Sequence, residues 1–81
     1  MRLADGVRLV HDRLTGRHVL IGPERGLVLD DTARAIVALI DGRRSLDEIV
    51  EALDARAPRE TVLRDVSAFL EALVQRRMLL P

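Results

Sequence analysis

The chain has 81 residues, enough for one small domain with a thin core and no room for a large enclosed active site. Hydrophobic residues make up 48% and charged residues 32%, a balance typical of globular rather than disordered chains. We therefore expect residues 1–81 to form a single domain.

The charge and cysteine counts exclude several kinds of chemistry. Thirteen basic residues, all of them arginine, cancel 13 acidic residues, and cysteine is absent. This excludes disulfides, thiolate metal sites and a cysteine nucleophile. With two histidines, a transition-metal site would need carboxylates to complete it. No signal-peptide pattern or apolar run of about 18 residues is present, which predicts a soluble, cytoplasmic protein.

The first 30 residues favour β-structure. Residues 7–11 and His18–Ile21 are predicted strands, and Gly16 in the loop between them can supply the positive φ of a hairpin turn. Pro23 then interrupts the second strand because it lacks a ladder donor. Gly26–Leu29 predicts a third, very short strand.

Two short helices are predicted next. Asp30 or Asp31 can cap the first, and Gly42 can end it in the left-handed conformation. Ser45 and Glu48 form a capping box before the second helix. The apolar faces of the two helices carry Ala33, Ile36, Val37 and Ile40, and then Leu46, Ile49, Val50 and Leu53.

Pro58 precedes a longer third helix, predicted over residues 59–76, and Met78, Leu79 and Leu80 predict a short return strand or an extended tail. The order of elements predicts an α+β, winged-helix-like fold, with an N-terminal β-hairpin and a short third strand packed on three helices. Such a fold does not by itself define a function.

The sequence contains little that argues for catalysis. His11 and His18 can face each other across the hairpin, but two ordinary strand histidines are the simpler interpretation than a metal site. Asp30 and Asp31 stand where a helix favours caps and negative charge. No serine or threonine has a histidine placed by sequence to activate it. We expect a protein that is not an enzyme and that needs no cofactor or metal.

A winged helix also raises the hypothesis of DNA binding. Phosphate contacts supply most non-specific affinity for DNA, and a chain of zero net charge offers little general attraction. Arg43 and Arg44 lie in the turn between the first two helices, but acidic residues are interleaved with the arginines beyond them. A solvated, salt-bridged surface is the favoured interpretation.

The apolar residues of the third helix cover an arc of roughly 140°, wider than the stripe of about 100° that a packed surface helix needs. Phe69, the only aromatic residue, lies on one margin of this arc, between Asp65 and Arg76. That margin can line a groove. The alternative is that Phe69 anchors the core and the two charges merely flank it.

The short third strand leaves an edge with unpaired backbone groups. An unprotected edge beside an apolar helix is a docking strip for an extended peptide, which gains ladder hydrogen bonds from the strand. Its alternate side chains would enter the helix-lined groove. The same edge and the apolar tail allow a monomer or a weak or exchanged dimer.

Residues spread along nearly the whole chain carry a resemblance to a known family. They are His11-Asp12, residues 19–24, Leu29-Asp30, Thr32-Ala33, Ile36, Asp41-Gly42, Ile49, Leu53, Asp65-Val66, Phe69-Leu70 and Leu73. Together they resemble the PqqD family of pyrroloquinoline quinone (PQQ) biosynthesis. Arg77 departs from the pattern, since relatives often have a small residue there.

The resemblance implies a non-catalytic peptide chaperone, a recognition element for a ribosomally made precursor peptide. Members of the family bind the peptide PqqA and present it to PqqE, a radical S-adenosylmethionine enzyme. The implied site is a peptide strand between the third strand and the third helix, at Arg25, Leu27, Val28, Leu29, Asp65, Val66, Phe69, Leu73 and Arg76. A recognition domain for another peptide-modifying system is the alternative within the same class.

Overall fold

A computed structural model describes residues 1–81 and contains five strands and three helices. In chain order they are β1 (Arg2–Leu3), β2 (Arg8–His11), β3 (His18–Ile21), β4 (Gly26–Leu29), α1 (Asp31–Ala38), α2 (Leu46–Leu53), α3 (Arg59–Gln75) and β5 (Leu79–Leu80). The predicted α+β fold, a hairpin and third strand followed by three helices, is confirmed. No helix has the length and apolar run that crossing a membrane requires.

Strands β2, β3 and β4 form one antiparallel sheet in that order. Leu9, Leu20 and Leu27 are directly opposite one another in the register, on the face that packs against the core. Gly16 has φ +75 in the β2–β3 loop, as its place in the sequence predicts. The sheet therefore rests on the helices through a row of leucines.

The chain termini form a second, two-stranded sheet that the sequence only half predicts. Strand β5 pairs antiparallel with β1, with Arg2 opposite Leu80 and Leu3 opposite Leu79. The Ala4 N–H donates to the Met78 carbonyl at 2.9 Å. The return-strand alternative for the C-terminal residues is therefore the one the structure adopts. Its partner β1 was not predicted, because two residues carry no detectable alternation.

Side-chain caps set the starts of α1 and α2 as predicted. Asp30 Oδ1 accepts from the Ala33 N–H at 2.7 Å. Both hydrogen bonds of the capping box are present, since Ser45 Oγ accepts from the Glu48 N–H and Glu48 Oε1 accepts from the Ser45 N–H.

The predicted end of α1 needs correction. The helix stops at Ala38, four residues before Gly42, and its cap Leu39 is right-handed. Gly42 is left-handed, with φ +82, but it serves the next turn. There Asp41 Oδ1 accepts from the N–H groups of Arg43 and Arg44, each at 2.9 Å. The Asx-type turn at Asp41 therefore forms in place of a further helical turn, because the Asp41 side chain binds the backbone N–H groups that follow it.

The core consists of eleven buried apolar residues, which come from β3, β4, all three helices and the C-terminal segment. Leu20, Ile49 and Leu73 are fully buried and join the sheet to α2 and α3. No polar or charged residue is buried. Charged groups therefore lie at the surface, where they are available to partners.

Candidate functional site

Strand β4 has a free edge. It pairs with β3 on one side and with no strand on the other. The C-terminal strand β5, which could have filled this edge, is instead paired with β1. The chain therefore leaves its sheet open at the strand for which the sequence predicts a docking edge.

The register shows which backbone groups of β4 point to the open side. In an antiparallel pair, hydrogen-bonded residues alternate with residues whose N–H and C=O point away from the partner. The Gly22 N–H donates to the Arg25 carbonyl at 2.8 Å at the β3–β4 turn. Alternation from that pair leaves the backbone groups of Gly26 and Val28 directed outwards. Two residues of β4 thus offer an incoming strand both a donor and an acceptor.

The same alternation explains the histidine pair. His11 and His18 are opposite each other at a pair that lacks direct hydrogen bonds, where side chains approach most closely. Their rings are stacked with centroids 4.6 Å apart, which confirms that they face each other. No group of three or more His, Cys, Asp or Glu side chains is arranged to hold a metal.

The side chains of β4 divide between core and surface. Leu29 is buried and Leu27 is partly buried, on the face that packs against the core. Val28 lies on the opposite face with 54% of its surface exposed. Of the three predicted contact residues within β4, Val28 is the exposed one. Leu27 and Leu29 hold the strand against the core.

An apolar groove of about 490 Å³ lies beside α3. Asp65, Val66 and Phe69 line it, and of these Asp65 and Phe69 lie on the margin of α3 that the sequence predicts to line a groove. The opposite wall is α1 and the residue before it, rather than β4, and its residues are Asp30, Asp31, Thr32, Ala33, Ala35 and Ile36. Leu53 and Ala55, at and just after the end of α2, complete the lining. The groove therefore begins where β4 ends, at Asp30.

Phe69 belongs to both the core and the groove. Its ring is partly buried and packs against the core cluster, and it also lines the groove. The two interpretations of this residue are thus compatible. Leu73, one turn further along α3, is 0% exposed and does not line the groove, so it is a core residue rather than a ligand contact.

Arg25 and Arg76 lie at a second cleft, of about 280 Å³, and not in the apolar groove. Arg77, Asp5 and Glu24 share this cleft. The predicted site is therefore resolved into an apolar part and an arginine-lined part. The two parts lie at opposite ends of β4, because Arg25 precedes the strand and Asp30 follows it.

Sequence reasoning missed the groove residues from α1 and α2, chiefly Ala33, Ile36 and Leu53. Their helical periodicity marked them as core residues, and a periodic pattern does not distinguish a core wall from a groove wall. The sequence did contain one signal for a groove. Ala33 lies in the first turn of α1, and a small side chain there leaves space between helices.

The carboxylates whose pKa values are shifted lie away from the groove. Backbone hydrogen bonds lower the pKa of Asp41 (from Arg44 and Arg43), of Glu48 (from Ser45) and of Asp12 (from Leu14) below the ordinary values. These groups stabilise turns and a helix start. Near the groove, Asp65 is 4.0 Å from Arg64, and both side chains are exposed.

The arginine cleft at Arg25 and Arg76, the open edge of β4 and the apolar groove at Asp30 and Asp65 follow one another along β4 in this small α+β domain, and we call them together the track. The family model for Coenzyme PQQ synthesis protein D (PqqD) matches residues 17–79. The chain is 44% identical to the PqqA binding protein of Rhizobium meliloti (strain 1021), over 98% of this chain and 83% of that protein. It is 37% identical to the PqqA binding protein of Gluconobacter oxydans (strain 621H), over 98% of this chain and 84% of that protein. The chain belongs to the PqqD family.

Solved structures agree with this family. The fold matches the solution structure of the PqqD part of Methylobacterium extorquens PqqCD, described as a stand-alone recognition element for ribosomally synthesised, modified peptides. The TM-score is 0.82 at 38% identity, over 99% of this chain and 87% of that one. It also matches a lasso peptide synthetase B1 complexed with its leader peptide, with a TM-score of 0.82 at 25% identity, over 99% of this chain and 96% of that one.

Proposed function

We propose that this protein binds the precursor peptide PqqA, which adds as a strand to the free edge of β4 and lies against α3. The observation that carries the proposal is an open strand edge, with Gly26 and Val28 facing outwards, which leads at Asp30 into a groove lined by Phe69. Ladder hydrogen bonds supply affinity in such a complex, and pockets for alternate side chains supply specificity. The names of the relatives from Rhizobium meliloti and Gluconobacter oxydans support the choice of PqqA.

The predicted site residues take two roles in this proposal. Those that contact the peptide are Arg25, Val28, Asp65, Phe69 and Arg76, all of which have exposed or partly buried side chains. Those that shape the site are Leu27, Leu29, Val66 and Leu73, which pack in or against the core. Side chains of the second kind affect binding through the position of the strand and helix.

The protein acts without catalysis of its own in this proposal and presents PqqA to the radical S-adenosylmethionine enzyme PqqE. The relatives named as binding proteins support a role in recognition. The protein is a monomer or a weak or exchanged dimer in this proposal, because an open strand edge permits pairing between copies at high concentration.

Titration of the ¹⁵N-labelled protein with PqqA tests the proposal. The expected result is saturable amide shift changes at residues 25–29 and on the 65–76 face of α3, with a dissociation constant of micromolar order or tighter, equivalent to about −8 kcal/mol. A scrambled peptide of the same composition is the control. Shift changes confined to other surfaces, or equal binding of the scrambled peptide, would contradict the proposed site.

Binding of a leader peptide from another modification system is the second candidate, supported by the fold shared with the lasso peptide synthetase B1. Competition discriminates between the two. If PqqA is the partner, an excess of a lasso leader peptide leaves bound labelled PqqA in place. Displacement at equal concentration would favour the second candidate.

A further inference from the structure

The two ends of the track differ in charge, and this charge polarity sets the orientation of a bound segment. We propose that the docked peptide places a carboxylate side chain in the cleft of Arg25, Arg76 and Arg77, and its apolar anchors towards Phe69. This inference rests on the proposed function and adds to it the charge order of the segment that is recognised.

The arginine cleft has an excess of free positive charge. Arg25, Arg76 and Arg77 line it together with two acids, Asp5 and Glu24. The ion pairs of the protein, at 4.0 Å or less, involve Arg2, Arg44, Arg59 and Arg64, so none of the three cleft arginines is paired.

Of the two acids in the cleft, Asp5 is 4.0 Å from Arg2, which contributes a further positive charge nearby. Glu24 is then the one carboxylate of the cleft outside an ion pair. Guanidinium groups favour carboxylates because their donor geometry matches two acceptor oxygens. The chemistry of the cleft therefore selects an acidic side chain.

The other end of the track has the opposite charge. Asp30, Asp31 and Asp65 line the apolar groove, which no arginine lines. Asp30 caps α1 and Asp65 has Arg64 at 4.0 Å. Asp31 takes part in none of the ion pairs. A peptide carboxylate placed here would face like charges, which disfavours the reversed placement.

The distance between the arginine cleft and the acidic end of the groove is the same whether it is counted along β4 or along α3. Along β4, five residue steps from Arg25 to Asp30 at about 3.3 Å each span about 17 Å. Along α3, eleven steps from Asp65 to Arg76 at about 1.5 Å each also span about 17 Å. The strand and the helix run in opposite directions here, because Arg25 shares a cleft with Arg76 while Asp30 shares the groove with Asp65.

An extended segment covers that distance in about five residues. The recognised segment therefore has an acidic residue at one end and apolar residues within about five positions of it. Since an edge strand accepts partners in either direction, the arginine cleft rather than the ladder decides which end of the segment lies where.

A double-mutant cycle between protein and peptide tests this polarity. The protein variants are Arg76→Gln and Arg25→Gln, with Arg43→Gln as matched control, since Arg43 is an exposed arginine that lines none of the described pockets. The peptides are PqqA and its variants in which each Glu or Asp is replaced singly by Gln or Asn.

Each cleft variant should weaken binding of PqqA roughly threefold, and Arg43→Gln should leave it unchanged. One of the PqqA variants, with a single acidic residue replaced by its amide, should bind the unaltered protein about threefold more weakly than PqqA does. The cleft variants of the protein should bind that peptide and PqqA with equal affinity. Amide spectra of the free variants check that the fold is retained.

A nitroxide label on PqqA locates that acidic position directly. The protein contains no cysteine, so a label on a single peptide cysteine stays on the peptide. A label beside the acidic residue should broaden the amides of residues 24–26 and 76–78 much more strongly than those of residues 30–33 and 65, which lie about 17 Å further away. Stronger broadening at the Asp30 end overturns the polarity.

The outcomes separate this inference from the proposed function. If PqqA binds at the groove but neither the arginine variants nor the amide peptides change its affinity, the polarity is wrong and peptide binding stands. If PqqA does not bind the unaltered protein at all, the proposed function itself fails.

Discussion

The ring of Phe69 lies half in the core and half in the groove, so removing it affects stability and binding together. For Phe69→Ala we expect a loss of unfolding free energy of about 2 kcal/mol, below the 3–5 kcal/mol of a fully buried ring. We also expect PqqA to bind about tenfold more weakly, because the groove loses its aromatic wall.

Thermal denaturation and PqqA titration of the same Phe69→Ala sample separate the two effects. Leu73→Ala is the control, since Leu73 is fully buried and should lose more stability, about 2–5 kcal/mol, with less effect on affinity of the folded fraction. Equal PqqA affinity of Phe69→Ala and the unaltered protein would remove the ring from the site.

Arg77 is held in a conformation that favours glycine. Its φ is +61, directly after α3, where the Arg77 N–H donates to Val74 O and the Met78 N–H donates to Leu73 O, each at 2.9 Å. This is a Schellman termination, and the left-handed position costs a side-chain-bearing residue about 1 kcal/mol.

Arg77→Gly should therefore raise the unfolding free energy by roughly 0.5–1 kcal/mol, measured by denaturant titration. Arg76→Gly provides the contrast. Arg76 has φ −81, so glycine there gains nothing sterically and should lower stability by about the same amount. A destabilised Arg77→Gly protein would mean that the arginine makes contacts that outweigh the backbone effect.

At the scale of the element, β4 has two kinds of residue that differ in where their N–H groups point. Val28→Pro removes an outward N–H and leaves the ladder to β3 intact. We expect the variant to fold and to bind PqqA about fivefold more weakly, the effect of one lost hydrogen bond of about 1 kcal/mol.

Leu27→Pro is the matched control on the same strand, because the Leu27 N–H points towards β3. It should destabilise the sheet itself, seen as loss of dispersed amide shifts. Unchanged PqqA affinity of folded Val28→Pro would mean that the peptide does not add to this edge.

At the scale of the whole molecule, stability should fall in acid through a few hydrogen-bonded carboxylates. The pKa of Asp41 lies below its ordinary value of 3.8, and that of Glu48 below 4.5. A group with a lowered folded-state pKa stabilises the protein above its unfolded pKa, and the effect is lost as pH falls through the folded value. We expect a constant melting temperature at neutral pH and a decline that begins near pH 4.5.

Asp41→Asn should melt at a lower temperature at pH 7 and show a shallower decline in acid, since it removes one of these carboxylates. Glu51→Gln, which removes an exposed helix carboxylate, is the control. An unaltered acid profile in Asp41→Asn would show that the turn is not a source of the pH dependence. Melting curves between pH 3 and pH 7 give the comparison.

Local sequence signals were sufficient for most of the elements and for some of the site. Caps at Asp30 and Ser45, glycine at the hairpin turn and 3.6-residue periodicity act over a few residues, so the chain encodes them locally. The open edge of β4 and the exposed margin of α3 could be predicted because both follow from strand order and helix geometry.

Only the tertiary structure decided how these parts combine. Pairing of β5 with β1 leaves β4 open, and α1 forms the second wall of the groove beside Phe69. The meeting of Arg25 and Arg76 depends on the opposite directions of β4 and α3. Contacts between residues far apart in the chain arise from packing, and hydrophobic periodicity states which face of an element is buried without stating which element covers it.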